Sequence, residues 1–191
     1  MATCKVITQH HDPRYQAESI PKFHDPASYQ SLVSYVLRDY TLPRECVGAR
    51  SLDLNRAAWE MEQVALAFDK YEGVKVRHMV ISFLGEELMR MGKNKAEILE
   101  EVRWFAEYVI GFYGRSYQIL YGIHTDTDHL HIHIGMSTVN YRTGYKYPGT
   151  KADYYAFQNH VNEWTKENYG FHVVFYTDKI LDDTKGTDRN I

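Results

Sequence analysis

Cysteine is nearly absent from this chain of 191 residues, which has only Cys4 and Cys46. Two thiols are too few for a disulfide framework or a thiolate metal cluster. No apolar run is long enough to span a bilayer, and no N-terminal stretch has the layout of a secretion signal. These absences predict a reduced, cytoplasmic chain with no membrane contact. An excess of one charge is missing too: 22 Lys and Arg stand against 25 Asp and Glu, a formal net charge of −3. The molecule as a whole therefore carries no electrostatic footprint of a nucleic-acid binder, and any basic surface must be local. Repeats and low-complexity tracts are also lacking. The length fits a single domain, placed at 1–179, with a polar tail at 180–191 that is expected to be loose.

What the chain does have is tyrosine, 16 of them, and a histidine cluster in HTDTDHLHIHIGMSTVN, residues 124 to 140. His129, His131 and His133 alternate with Leu130, Ile132 and Ile134. A strand sends successive side chains to opposite faces, so one face is imidazole and the other is core. Neutral imidazoles at i and i+2 on a rigid strand offer lone pairs to one divalent ion without distorting the backbone. His124 precedes a turn-like TDTD segment, and a hairpin there would return the chain past it. His124, His131 and His133 are therefore the candidate ligand set, with His129 competing with His124 for the third place.

Around this cluster the periodicities alternate between strand and helix. CKVITQH reads as a strand, ASYQSLVSYVLRDY as a helix, and LDLNRAAWEMEQVALAFDKY as an amphipathic helix closed by Gly73. VKVRHMVISF is a strand whose alternating face exposes either Arg77 or His78. Residues 94 to 113 form a helix capped by Asn94, SYQILYGIH is a strand, ADYYAFQNHVNEWTKENYG is a helix ending at Gly170, and FHVVFYTD is a last strand. The two histidine-bearing strands are joined by too few residues for a parallel crossover. The expected architecture is α/β of the α+β kind: an antiparallel central sheet with packed helices and the metal site on an exposed part of the sheet.

The run HTDTDHLHIH in a segment that ends at Asn140, preceded by SYVLRDY and RHMVISF and followed by GYKY and DYY, resembles the relaxase family of plasmid and transposon mobilisation nucleases. The likeness extends from roughly residue 28 to residue 176. It implies the histidine-hydrophobic-histidine (HUH) fold, with the paired histidines on the central strand. It also implies nicking of one DNA strand at an origin of transfer by a tyrosine that stays on the 5′ end and later rejoins it. Residue by residue, His131 and His133 match the paired histidines and His124 the upstream one. Tyr35 matches the nucleophile, and Ser82 matches a serine expected near the DNA or the scissile phosphate. Many relatives have asparagine or proline where His129 stands, and many continue into a further domain.

The chemistry is consistent with that resemblance. A cation on the non-bridging oxygens of a phosphodiester stabilises the charge gathering in the transition state. A phenolate nucleophile leaves an ester that can be reversed without an outside energy source. Asp126 is the candidate for orienting an imidazole or taking the phenol proton, and Tyr29, Tyr40 and His24 are rival nucleophiles to Tyr35. Arg77, Arg142, Lys146 and Lys151 are candidate phosphate contacts, and Tyr145 and Tyr147 candidate stacking platforms. Nitrogen ligands suit manganese, zinc, nickel or cobalt better than magnesium, with manganese or magnesium as the working ions. The expected partners are single-stranded DNA at an origin of transfer and an accessory DNA-binding protein. Two other activities fit the same residues: a metallohydrolase attacking with bound water, and a rolling-circle replication initiator.

Overall fold

In the computed structural model the alternation in HIHIGMSTVN becomes a strand, β5 (His131–Asn140), beside the antiparallel β4 (Tyr117–His124). The structure describes residues 1–7, 24, 27–125 and 130–177. Ahead of this pair come β1 (Thr3–Ile7), α1 (Ser28–Leu37), β2 (Val47–Arg50), α2 (Ala57–Ala67), β3 (Val76–Ser82), α3 (Gly85–Met91) and α4 (Lys95–Tyr113). After it come α5 (Lys151–Tyr169) and β6 (Val174–Thr177).

The strands make one six-stranded sheet in the order β2-β4-β5-β3-β1-β6. Every pairing is antiparallel except that of β1 with β6 at one edge. The antiparallel centre agrees with the α+β expectation, and the parallel edge follows from α5, which is long enough to serve as the crossover that brings β6 back in the direction of β5.

Local chemistry sets the ends of the long helices. The Asn94 side chain accepts from the backbone N–H groups of Ala96 and Glu97, and Thr150 does the same for Asp153 at the start of α5. Gly170 closes α5 at φ 70°. The second helix is shorter than its pattern predicts. Leu54–Arg56 form a 3₁₀ turn before it, and Asp69 in the left-handed region (φ 53°) ends the run well before Gly73. Neither β2, of four residues, nor α3, of seven, carries enough repeats for its period to stand out in the sequence.

The sheet separates two apolar clusters. On one face Phe105, Val109, Ile110, Phe157 and Val161 of α4 and α5 pack against Ile132, Ile134, Ile119, Tyr121 and Ile81. On the other face Leu32, Val33 and Val36 of α1 and Met61 and Ala65 of α2 pack against Leu120, Val76 and Val139. β5 is thus covered on both sides along most of its length. This corrects one expectation: the histidine end of the sheet lies beneath α1, with His124 and His133 buried and only His131 half-exposed.

Candidate active site

Strand register brings the imidazoles together. His124 on β4 lies directly opposite His131 on β5, and His133 lies between Gly122 of β4 and Val80 of β3. All three rings project to the α1 side, with centroids 4.3 Å apart for His124 and His133, 4.7 Å for His131 and His133, and 5.3 Å for His124 and His131. One nitrogen from each can be chosen so that all lie within 4.8 Å of one another. Metal–nitrogen distances near 2.1 Å require neighbouring donors about 3 Å apart, so a contraction of about 1–2 Å would close the set on an ion.

Helix α1 roofs this cluster because a glycine lets it down onto the sheet. A Cβ at Gly122 would lie 2.0 Å from the carbonyl oxygen of Val36, so only a residue without a side chain permits this approach. The same Val36 carbonyl accepts from Nε2 of His124 at 3.0 Å. Leu32 and Val36 face the sheet, and Tyr35, on the flank of that stripe, stands over the imidazoles while remaining half exposed. Its ring centroid is 5.1 Å from that of His133, 5.4 Å from His78 and 6.3 Å from His124. The two tyrosine rivals sit differently. Tyr29 is buried in the α1–α2 core, where desolvation raises its phenol pKa strongly, and Tyr40 lies in the turn beyond the helix.

A hydrogen bond fixes the tautomer of His124. A carbonyl oxygen only accepts, so Nε2 of His124 carries the proton and Nδ1 holds the lone pair, which accepts from Nε of Arg38 at 3.1 Å. Nδ1 of His133 meets Nε2 of His78 at 2.9 Å, while its Nε2 is buried without a hydrogen-bond partner. Burial, followed by the neighbouring His78, His124, His131 and Arg38, holds the His133 pKa down at about 2. His133 is therefore a neutral imidazole at any working pH. A buried Nε2 of His133 with no hydrogen-bond partner, beside the rings of His124 and His131, is what a divalent cation would satisfy, and on this observation the residues fit such an ion.

His78 is the residue that sequence reasoning left undecided. Parity allowed either Arg77 or His78 to face the site, and the β3–β5 register chooses His78. The signal was there, because His78 has the parity of Ser82, which lies opposite His131 on the same face. Arg77 lies on the other face, its guanidinium 4.6 Å from the centre of the Tyr147 ring. The amine of Lys146 donates to the backbone carbonyls of Glu72 and Val74. Arg142 is exposed in the turn after β5, and Lys151 is exposed at the first turn of α5, both at the end of β5 remote from the histidines. Tyr147 is half-buried and bonded to Tyr113 and Asp153, whereas Tyr145 is 76% exposed. Asp126 and His129 lie outside the described residues.

Fold and site together define an α+β protein with a tyrosine held over a three-histidine cluster on an antiparallel sheet. The chain belongs to the relaxase family: the family model described as "Relaxase: MobA/VirD2-like, nuclease domain" matches residues 35–170. That assignment makes it a DNA-nicking nuclease domain that acts on single-stranded DNA. No curated protein and no solved structure matches the chain. Among the described residues no helix is long and apolar enough to cross a membrane.

Proposed function

We propose that this chain nicks and rejoins one DNA strand at an origin of transfer, through a 5′-phosphotyrosine on Tyr35, and so starts mobilisation of a plasmid or transposon. The observation that carries the reading is the Tyr35 ring standing over His78, His124 and His133. His124, His131 and His133 would hold a divalent cation, manganese or magnesium, which supplies charge neutralisation at the scissile phosphate. In this reading Nδ1 of His133 carries the proton and donates it to Nε2 of His78, so that Nε2 of His133 would be presented to the ion. The phenol oxygen of Tyr35 forms a bond to phosphorus and the bond from phosphorus to the 3′ oxygen breaks. The proton lost by the phenol is balanced by the one gained by the departing 3′ hydroxyl. Asp126, in the segment joining β4 and β5, is proposed to take or relay that proton, and Ser82, opposite His131, to contact the strand beside the phosphate. Rejoining is the same step in reverse. Because one phosphodiester replaces another, it needs no external energy.

The test is incubation with 3′-labelled single-stranded DNA of random sequence and Mn²⁺, followed by denaturing electrophoresis. Label that migrates with the protein, and is lost in Tyr35→Phe, supports transesterification. Cleaved DNA with unlabelled protein would indicate attack by bound water and overturn the reading.

A further inference from the structure

The lone pair that a cation would take from His124 is already in use. With Nε2 donating to the Val36 carbonyl, only Nδ1 of His124 can ligate, and Arg38 donates its Nε–H to that atom at 3.1 Å. Cation binding at His124 and the Arg38–His124 hydrogen bond are therefore mutually exclusive. We propose that Arg38 is the placeholder for the cation: its guanidinium covers Nδ1 of His124 in the cation-free protein, leaves that nitrogen when a cation is bound, and then holds a non-bridging oxygen of the scissile phosphate. This inference rests on the reading of the histidine triad and Tyr35 given above.

The backbone around Arg38 suits the role. Arg38, Asp39 and Tyr40 follow one another in the left-handed region, with φ of 48°, 51° and 63°. Each such residue is strained and persists only where its surroundings enforce it. Here the enforcement is local. Asp39 N–H donates to Ser34 O at 2.7 Å, and the Arg38 carbonyl accepts from both the N–H (3.0 Å) and the hydroxyl (2.6 Å) of Thr41. The turn pins the main chain and reverses it, so that the Arg38 side chain reaches back to His124 and only that side chain is left to move. It has room to do so. A cleft of about 520 Å³ is lined by Ser34, Tyr35, Arg38, Asp39, Thr41 and His124. Among the described residues Arg38 is the one permanently cationic group on its wall, and it sits three residues beyond Tyr35 on the same helix end. Once off the imidazole, a planar guanidinium can engage two phosphate oxygens at once, beside the phenol that attacks.

The experiment is calorimetric titration of Mn²⁺ into the cation-stripped, DNA-free chain. Arg38→Ala should bind Mn²⁺ about 3- to 10-fold more tightly than the wild type, because the hydrogen bond to His124 no longer has to be given up. Arg38→Met, which keeps the aliphatic stem, should do the same and serves if the alanine variant does not fold. In a second titration with a single-stranded oligonucleotide, adding Mn²⁺ should strengthen binding less in either variant than in the wild type. His131→Ala separates the possible failures. Mn²⁺ uptake that survives His131→Ala overturns the triad and this inference with it. Uptake that requires His131 but is unchanged or weakened by both Arg38 substitutions overturns this inference alone.

Discussion

Substituting Gly122 by alanine tests whether a main-chain contact sets the position of Tyr35, the proposed nucleophile. The added Cβ would meet the Val36 oxygen at 2.0 Å, with the Leu42 Cδ1 at 2.9 Å as a second obstacle. An ordinary carbon–oxygen approach is about 3.3 Å, so α1 must rise by about 1.3 Å. The obstacle is a backbone carbonyl inside a helix, which cannot turn aside as a side chain would. A rise of that size also breaks the 3.0 Å hydrogen bond from His124 to Val36. Overpacking costs about 1–3 kcal/mol and the lost bond about 1 kcal/mol more, so a fall in stability of about 2–4 kcal/mol is expected. For a chain of this length that lowers Tm by about 5–15 °C. Tyr35 rides on the same helix, and a misplacement of about 1 Å costs on the order of 100-fold in rate. Single-turnover formation of the protein–DNA adduct, measured below the shifted Tm, reads the second effect. Gly111→Ala in α4 is the control, since nothing lies within 4 Å of its Cβ, and it should be neutral or slightly stabilising. A Gly122→Ala protein that melts with the wild type and forms adduct at the same rate would refute the reasoning.

Tyr35→Phe should abolish the adduct while leaving Mn²⁺ affinity within about twofold, by calorimetry; loss of both would mean that the phenol belongs to the cation site. Tyr29→Phe should retain the adduct and raise stability by up to about 1 kcal/mol in denaturant melts, because the Tyr29 hydroxyl is buried without a hydrogen-bond partner. His78→Ala should weaken Mn²⁺ binding by about 10- to 100-fold, the usual cost of removing the partner that orients a ligating imidazole, with His78→Gln recovering part of it. In cation-stripped protein, His133 stays neutral down to about pH 2 whereas in the unfolded chain it titrates near 6.5. The unfolded state therefore binds the extra proton, and stability must fall as pH drops below about 6.5, with a slope that approaches about 1.4 kcal/mol per pH unit for this group. Chemical melts at pH 7.5, 6.5 and 5.5 should show that loss, and a His133→Gln protein with the same slope would contradict it.

Much of the site could be read from the chain because strand period is rigid. The i, i+2 spacing of His131 and His133 and the position of His124 before a short connection were enough to foresee that these three imidazoles meet, with His129 left as a competitor and His78 undecided. What a single strand's pattern does not contain is register between strands distant in sequence. That is why β3 left Arg77 and His78 open, although only one of them can share a face with Ser82. Arg38 gave no signal at all, since its direction depends on three successive left-handed residues and none of them is glycine or asparagine. The burial of the cluster was also illegible. It depends on how closely α1 approaches Gly122, and a glycine within YGIH looks like a weak point in a strand rather than a seat for a helix. Similarly, nothing in the sequence shows that the amine of Lys146, a candidate phosphate contact, binds the carbonyls of residues 72 and 74.

The two apolar clusters on either side of the sheet are not equal partners. The one beneath α4 and α5 is rich in aromatic rings, whereas the one beneath α1 and α2 is mostly aliphatic side chains with Tyr29 as its one buried aromatic among the described residues. Less apolar surface is at stake there, so the layer bearing the phenol is the one that loosens first when the protein breathes. The imidazoles, anchored in β4 and β5, stay with the firmer half. Lifting this lightly held helix thus displaces Tyr35 without melting the strands that carry the histidines.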